Sequence, residues 1–302
     1  MGGPTMHAAA SSTNDGLTIT PRHPLIGAEI RGVDLGRVDE GTFQRVYGAW
    51  LEHLVLIFPE QNVTDEEQIA FARRFGELEI HPSPEHRSSR HPEIYRVSNV
   101  DERGNIMPQE SNGWRYMNLT WLWHTDSSFR EVPSMGSILH GIEVPSEGGD
   151  TLFANMYAVY EALPGDMKER IRRLRVVHSH DQVLSHDPHL RNATEDYTRL
   201  PPVHHPLVRR HPVTGRISLF LSPHTMERIA DLPEGEGRTL LGELTAFATQ
   251  DRFVYRHRWQ KDDVIFWDNR CTMHAVMPYD AAKRRRIMHR TTIAGDGSVI
   301  PA

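Results

Sequence analysis

Phe253-Val254-Tyr255-Arg256-His257-Arg258-Trp259, followed after three residues by Asp263-Val264-Ile265-Phe266-Trp267, sets the architecture of this chain. Successive side chains of a strand project to opposite faces, so Tyr255, His257 and Trp259 share one face while Arg256 and Arg258 share the other. That alternation predicts a half-buried antiparallel strand, and the short β-rich segment after it predicts a second. Working outward, Leu54–Phe58, Ser137–Val144, Arg216–Leu221 and Arg286–Ile293 are also short, rich in strand formers and bounded by turn residues. Many short strands without regular βα alternation favour a sandwich or jelly roll over a parallel sheet.

Helices are fewer. Residues 42–54 carry Phe43, Val46, Tyr47, Trp50 and Leu51 as one apolar stripe behind a cap at Asp39. Thr64 and Glu67 form a capping box ahead of Ile69, Ala72 and Phe75. Segments near 156–174 and 234–249 read as further helices, the first interrupted at Pro164-Gly165. Residues 82–122 look irregular, and so long a stretch within a compact domain predicts an active-site lid or a disordered loop. The Gly/Ala/Ser-rich residues 1–16 read as a flexible tail without the features of a secretion signal, leaving 17–302 as a single domain.

Composition excludes several functions. The net charge of −6 argues against binding a nucleic-acid backbone. The apolar run Leu54–Phe58 is far shorter than the ~20 residues a membrane span requires. A single cysteine, Cys271, precludes internal disulfides and Cys-rich zinc sites, and it suits the cytoplasm. Phosphate-binding loops, dinucleotide glycine fingerprints and serine nucleophile elbows are missing from the sequence.

Chemistry concentrates in Trp-His-Thr-Asp at 123–126 and Trp-Asp-Asn-Arg-Cys-Thr-Met-His at 267–274. On a strand, His124 and Asp126 share a face and can reach one ion, with a third ligand arriving from elsewhere. Two imidazoles and one carboxylate hold ferrous iron while leaving positions open. With 19 histidines in 302 residues, a lone His-x-Asp occurs about once by chance, so context decides its meaning.

That context resembles the taurine dioxygenase / 2,4-dichlorophenoxyacetate dioxygenase family of Fe(II)- and 2-oxoglutarate-dependent oxygenases. The likeness runs from about Leu17 to Ile293. It is carried by Phe-Ala-Arg-Arg-Phe-Gly (71–76), Trp-His-Thr-Asp-Ser-Ser-Phe (123–129), Gly-Gly-Asp-Thr (148–151), His-Pro-Val-Thr-Gly-Arg (211–216), Tyr-Arg-His-Arg-Trp (255–259), the 267–274 block and Arg-Arg-Ile-Met-His-Arg (285–290). The resemblance implies a double-stranded β-helix, a jelly-roll variant, with helices flanking a mostly β domain. It implies His124, Asp126 and His274 as iron ligands, Thr151 and an arginine as the 2-oxoglutarate site, and a homodimer or tetramer.

A strict count from the distal histidine reaches Arg285, whereas the Arg-Ile-Met-His-Arg-x-Thr frame selects Arg286 with Arg290. Strand parity groups 286, 288 and 290 on one face, so Arg286 is preferred. Arg290 and His81 then match substrate-contacting positions. The taurine branch's tyrosine is replaced here by Ser83 or Pro84, whereas the 123–129 segment looks like the phenoxyacetate branch. The implied reaction consumes O2 and 2-oxoglutarate, releases succinate and CO2, and hydroxylates a C–H of a small anionic substrate, an aryloxyalkanoate or alkylsulfonate, with oxidative cleavage. Desaturation or cyclisation, and a non-catalytic metal-binding sensor, are the alternatives.

Cys271 lies an odd number of residues from His274 and is expected to pack in the core. Trp123 and Trp267 are expected as core residues walling the site. Asp150 and Asp268 are expected either to orient a ligand or to serve turns and sheet edges. His178, His180, His186 and His189 are expected at the surface or in the lid.

Overall fold

The computed structural model describes residues 16–81, 86–190 and 200–302. The expected tail therefore lies outside the described residues except for Gly16. A seven-stranded sheet forms the backbone of the fold, in the order Thr18–Pro21, Ala28–Arg31, Val55–Phe58, Val264–Asp268, Gly136–Glu143, Ile287–Ile293, Tyr95–Ser98. A three-stranded sheet, Val254–His257, Thr151–Asn155 and Thr272–Val276, supplies the opposing wall. The sheet-rich core with helices at its periphery is a jelly roll.

Val264–Asp268 is buried along its whole length because both faces of its sheet are covered. Ile265 and Trp267 join Val55, Ile57, Leu139 and Met288 in the core between the sheets, where Phe153 and Cys271 meet them from the other side. Val264 and Phe266 face outward into a second core with Leu56, Phe58 and Ile138. There the helix Glu40–His53 contributes Val46, Ala49 and Trp50. Phe266 stacks on Trp50 with ring centroids 4.3 Å apart, and burying a ring of that size contributes roughly 2 kcal/mol.

The helix starts are written locally. Asp39 accepts from the Thr42 amide, and Thr64 and Glu67 cap the helix Asp65–Arg73 reciprocally. The helical stretch expected near 156–174 divides into Met156–Ala162 and Gly165–Ile171, with Pro164 capping the second. The strand expected at Arg216–Leu221 is shorter, Ile217–Leu219, and pairs with Val208–Arg210.

Residues 86–122 are more ordered than their composition suggests. Tyr95–Ser98 pairs antiparallel with Ile287–Ile293 at the sheet edge, and its alternate residues Tyr95 and Val97 enter the central core. Ser111 caps the helix Asn112–Asn118 by accepting from the Trp114 amide. No described helix is long and apolar enough to cross a membrane.

Candidate metal and anion site

His124 and His274 are brought together by the backbone. Each amide donates to the other's carbonyl at 2.8 Å, closing an antiparallel bridge between residues far apart in the chain. Thr125, between the two residues that share a face, turns the other way into buried contacts with the carbonyls of Leu221 and Thr272. This leaves His124, Asp126 and His274 with one ligand atom each, all within 4.8 Å of one another and all buried. His124 Nε2 and His274 Nε2 both stand 3.9 Å from Asp126 Oδ1.

Their hydrogen bonds fit a metal. His124 Nδ1 lies 2.7 Å from the Leu122 carbonyl, which can only accept, so Nδ1 carries the proton and Nε2 presents its lone pair inward. His274 is oriented by packing against the Trp267 ring, 4.9 Å away. Burial lowers the pKa of both imidazoles, keeping them neutral and able to ligate. Burial alone would raise the Asp126 carboxyl, but the Arg290 guanidinium, with a hydrogen bond from Ser137, holds it well below the usual carboxylate range. Arg290 Nη1 donates to Asp126 Oδ1 and Ser137 Oγ to Oδ2, both at 2.7 Å. Asn269 donates to Ser137 Oγ and to Ser134 Oγ, linking the 267–274 segment to that support.

A cavity opens over this cluster, lined by His81, Tyr95, Tyr116, Phe129, Asp126 and Arg290 among others. His81 stacks on Tyr95 at 4.4 Å, and the Arg290 guanidinium lies 4.6 Å from the centre of the same ring. Glu79 also faces the cavity, accepts from Ser127 Oγ at 2.8 Å, and has its pKa raised by burial.

Thr151 and Arg286 are both buried. Trp259 Nε1 donates to Thr151 Oγ1 at 2.9 Å, so the hydroxyl's own hydrogen is available to another acceptor. Arg286 Nε and Nη2 have no hydrogen-bond partner among the described residues, and burial pulls the pKa of this guanidinium down. A planar cation left so is suited to a carboxylate, which accepts two parallel hydrogen bonds from it. Gly149 makes room: a Cβ there would lie 2.8 Å from Pro145 Cγ and 3.5 Å from Arg286 Cδ, and its φ of +73° is itself unfavourable for a side chain. Arg285 instead points outward, with Nε on both Glu143 oxygens at 2.8 and 3.0 Å.

Several expected residues lie elsewhere. Asp150 pairs with Arg256 at the sheet edge, and Asp268 with His211 and Arg270, so neither orients a ligand through its carboxylate; Ser137 and the Leu122 carbonyl occupy that role. Trp123 packs on the core cluster under the smaller sheets and is not among the cavity's lining residues. His178 and His180, expected at the surface or in the lid, are 0% and 1% exposed, whereas His186 and His189 are exposed. His178 stacks on Phe220 and bonds Thr225 Oγ1, which shows why a histidine-rich stretch could still be core. A second close group, His211, Asp268 and Cys271, does not offer a metal site. His211 Nδ1 accepts from the amides of Val213 and Thr214, so its Nε2 is a donor to Asp268, whose charge Arg270 already neutralises. Trp259 and Asn269 lie within the motifs at 255–259 and 267–274, without a signal for the contacts they make, and Asn99 and Ser137 carry no distinguishing signal in the sequence.

A jelly roll that gathers two buried histidines and a buried aspartate, with Arg290 donating to the aspartate, defines the class of protein; Thr151 and Arg286 are not among the residues lining the cavity over that cluster. The family model "Taurine catabolism dioxygenase TauD, TfdA family" matches residues 18–292, and the chain belongs to that family. The alpha-ketoglutarate-dependent 2,4-dichlorophenoxyacetate dioxygenase of Cupriavidus pinatubonensis is 37% identical over 282 residues, covering 90% of this chain and 96% of that protein. Pentalenolactone F synthase of Streptomyces arenae is 35% identical over 297 residues, covering 93% and 96%. The crystal structure of AAD-2 in complex with Mn(II) and N-oxalylglycine superposes with a TM-score of 0.86 at 35% identity, covering 95% of this chain and 99% of that one.

Proposed function

We propose that this chain is an Fe(II)- and 2-oxoglutarate-dependent dioxygenase that hydroxylates a C–H bond of a small anionic substrate, an aryloxyalkanoate or a related sulfur oxyacid, and thereby cleaves it. The observation that carries this reading is the buried, convergent set of His124, Asp126 and His274. Those three would hold the iron. Bound together with 2-oxoglutarate and O2, the iron supplies the oxidising power, with succinate and CO2 as coproducts.

The remaining steps belong to the protein. Arg286 and the Thr151 hydroxyl bind the distal carboxylate of 2-oxoglutarate, which fixes the direction in which its other end points. Arg290 takes the substrate's acidic group, helped by His81, so that the carbon to be oxidised faces the metal. Tyr95, Tyr116 and Phe129 wall the cavity with apolar surface that suits an aromatic or alkyl body. Residues 86–122, which supply Tyr95 and Tyr116 to that wall, cover the site and keep water from it. The lone buried cysteine is consistent with work in the cytosol.

Succinate release from 2-oxoglutarate, under ferrous aerobic conditions with a panel of carboxylates, sulfonates and sulfate esters, tests the reading. Identification of the products separates hydroxylation from desaturation or cyclisation. An iron-loaded protein that released no succinate with any member of the panel would instead be a binding protein. Asp126→Ala is expected to abolish turnover and iron binding together.

A further inference from the structure

The arginine run presents a problem that its own sequence does not solve. Arg284, Arg285 and Arg286 are chemically alike, and a strand that slips by one residue exchanges its two faces. The ladder beside them is irregular, since Ile287 pairs with Glu143 but Met288 with Gly141, so one residue of the neighbouring strand is skipped. A slip of one residue would carry Arg285 inward and turn Arg286 out to solvent.

Asn99, fully buried at the end of the strand Tyr95–Ser98, grips this run at several points. Its Oδ1 accepts from the Arg286 amide at 2.7 Å, and its Nδ2 donates to the carbonyls of Arg284 and Ala281, each at 2.7 Å. Its own amide donates to the Arg286 carbonyl at 3.2 Å. The side-chain amide thus has its acceptor and both donor hydrogens engaged, all on residues 281–286. The bonds to Arg284 and Arg286 bracket Arg285, which faces the other way towards Glu143 and the Gly104 carbonyl. The Asn99 carbonyl accepts from the Met107 amide, which ties the same residue to the segment over the site.

We infer that Asn99 is a positioning residue that sets the register of the arginine run, so that Arg286 rather than Arg285 meets the distal carboxylate of 2-oxoglutarate. The inference rests on the reading of Arg286 given above. Its chemistry is steric and hydrogen-bonded: asparagine offers one acceptor and two donors at the end of a short stem, which serine, alanine and aspartate do not.

The test measures binding of N-oxalylglycine, an unreactive 2-oxoglutarate mimic, to the Mn(II)-loaded full-length protein by calorimetry, with Mn(II) affinity measured separately. Asn99→Ala is expected to weaken N-oxalylglycine by about tenfold or more, the size usual for removing a residue that orients a binding group, with Mn(II) affinity unchanged. Asn99→Asp keeps the bond to the Arg286 amide but sets an oxygen against two carbonyls, and it is expected to show the same selective loss. Arg285→Gln alone is expected to bind as wild type, yet to weaken binding further when added to Asn99→Ala, because only a slipped run uses Arg285. Wild-type affinity in a folded N99A or N99D protein, or parallel loss of Mn(II) and N-oxalylglycine, would overturn the inference. Arg286→Gln is the control: if it leaves N-oxalylglycine binding intact, the assignment of Arg286 fails instead.

Discussion

Replacing Arg286 by methionine should make the protein more stable and at once unable to hold its cosubstrate. Arg286 is 2% exposed, and two of its guanidinium nitrogens have no partner among the described residues. A buried donor left unsatisfied costs about 1–3 kcal/mol, so removing two relieves at least about 2 kcal/mol. The shorter thioether gives up packing equivalent to about one methylene, roughly 0.8 kcal/mol. The net expectation is a gain of about 1 kcal/mol or more in the unfolding free energy, read from urea denaturation in the presence of a chelator. N-oxalylglycine at about a hundred times its Kd, with Mn(II), should stabilise the wild type by a further ~2.7 kcal/mol over Mn(II) alone. The same concentration should add nothing to Arg286→Met. A variant that lost stability by 1 kcal/mol or more, yet still gained from N-oxalylglycine, would refute this account of the buried cation.

Arg290→Gln should raise KM for the anionic substrate by about thirtyfold or more, since truncating one partner of a buried charge pair costs about 2 kcal/mol or more, while 2-oxoglutarate turnover without substrate persists; initial-rate kinetics separate the two. Trp259→Phe should weaken N-oxalylglycine about fivefold through loss of the hydrogen bond that orients Thr151, and it should have little further effect in a Thr151→Val background; calorimetry on the double-mutant cycle reads both. Acid should destabilise the fold through His180 and His205, whose pKa values burial lowers from 6.5 to about 4. Because the folded value lies below the unfolded one, unfolding takes up protons; the stability is whole above about pH 6.5 and declines as pH falls towards 4. Between pH 7 and 5 the two should remove on the order of 3 kcal/mol, seen as a falling urea midpoint, and a flat midpoint would contradict the assignment.

The barrel strands were legible where one face of a strand is wet or where both faces are apolar, as in Val254–His257 and Val264–Asp268. The edge strand Tyr95–Ser98 was hidden because four alternating residues sit within a stretch through which Pro, Ser, Asn and Gly are scattered, and only pairing with Ile287–Ile293 makes them a strand. The sequence could place His124 and Asp126 on one face, because that follows from local geometry. It could not show that Thr125 anchors the segment from behind, or that Ser137 rather than Asp150 or Asp268 supports the carboxylate, since these are contacts between distant strands. The buried His178 and His180 were misplaced for the same reason: histidine carries no periodic signal that separates a hydrogen-bonded core residue from a solvated one. The arginine run was ambiguous by count, and the structure separates its members by partner, with Arg285 on Glu143 and Arg286 buried.

The backbone bridge between His124 and His274 has a consequence for the life of the chain. Its two halves are 150 residues apart, and one of them, His274, lies in the strand Thr272–Val276 that also pairs with Thr151–Asn155. A nascent or partly unfolded chain therefore lacks the three-donor set, so ferrous iron gains little hold on it. Iron held by these three side chains is expected to load only after that pairing has closed. Hydrogen exchange on the loaded protein should slow across both sheets together and not only in the loops that carry the ligands.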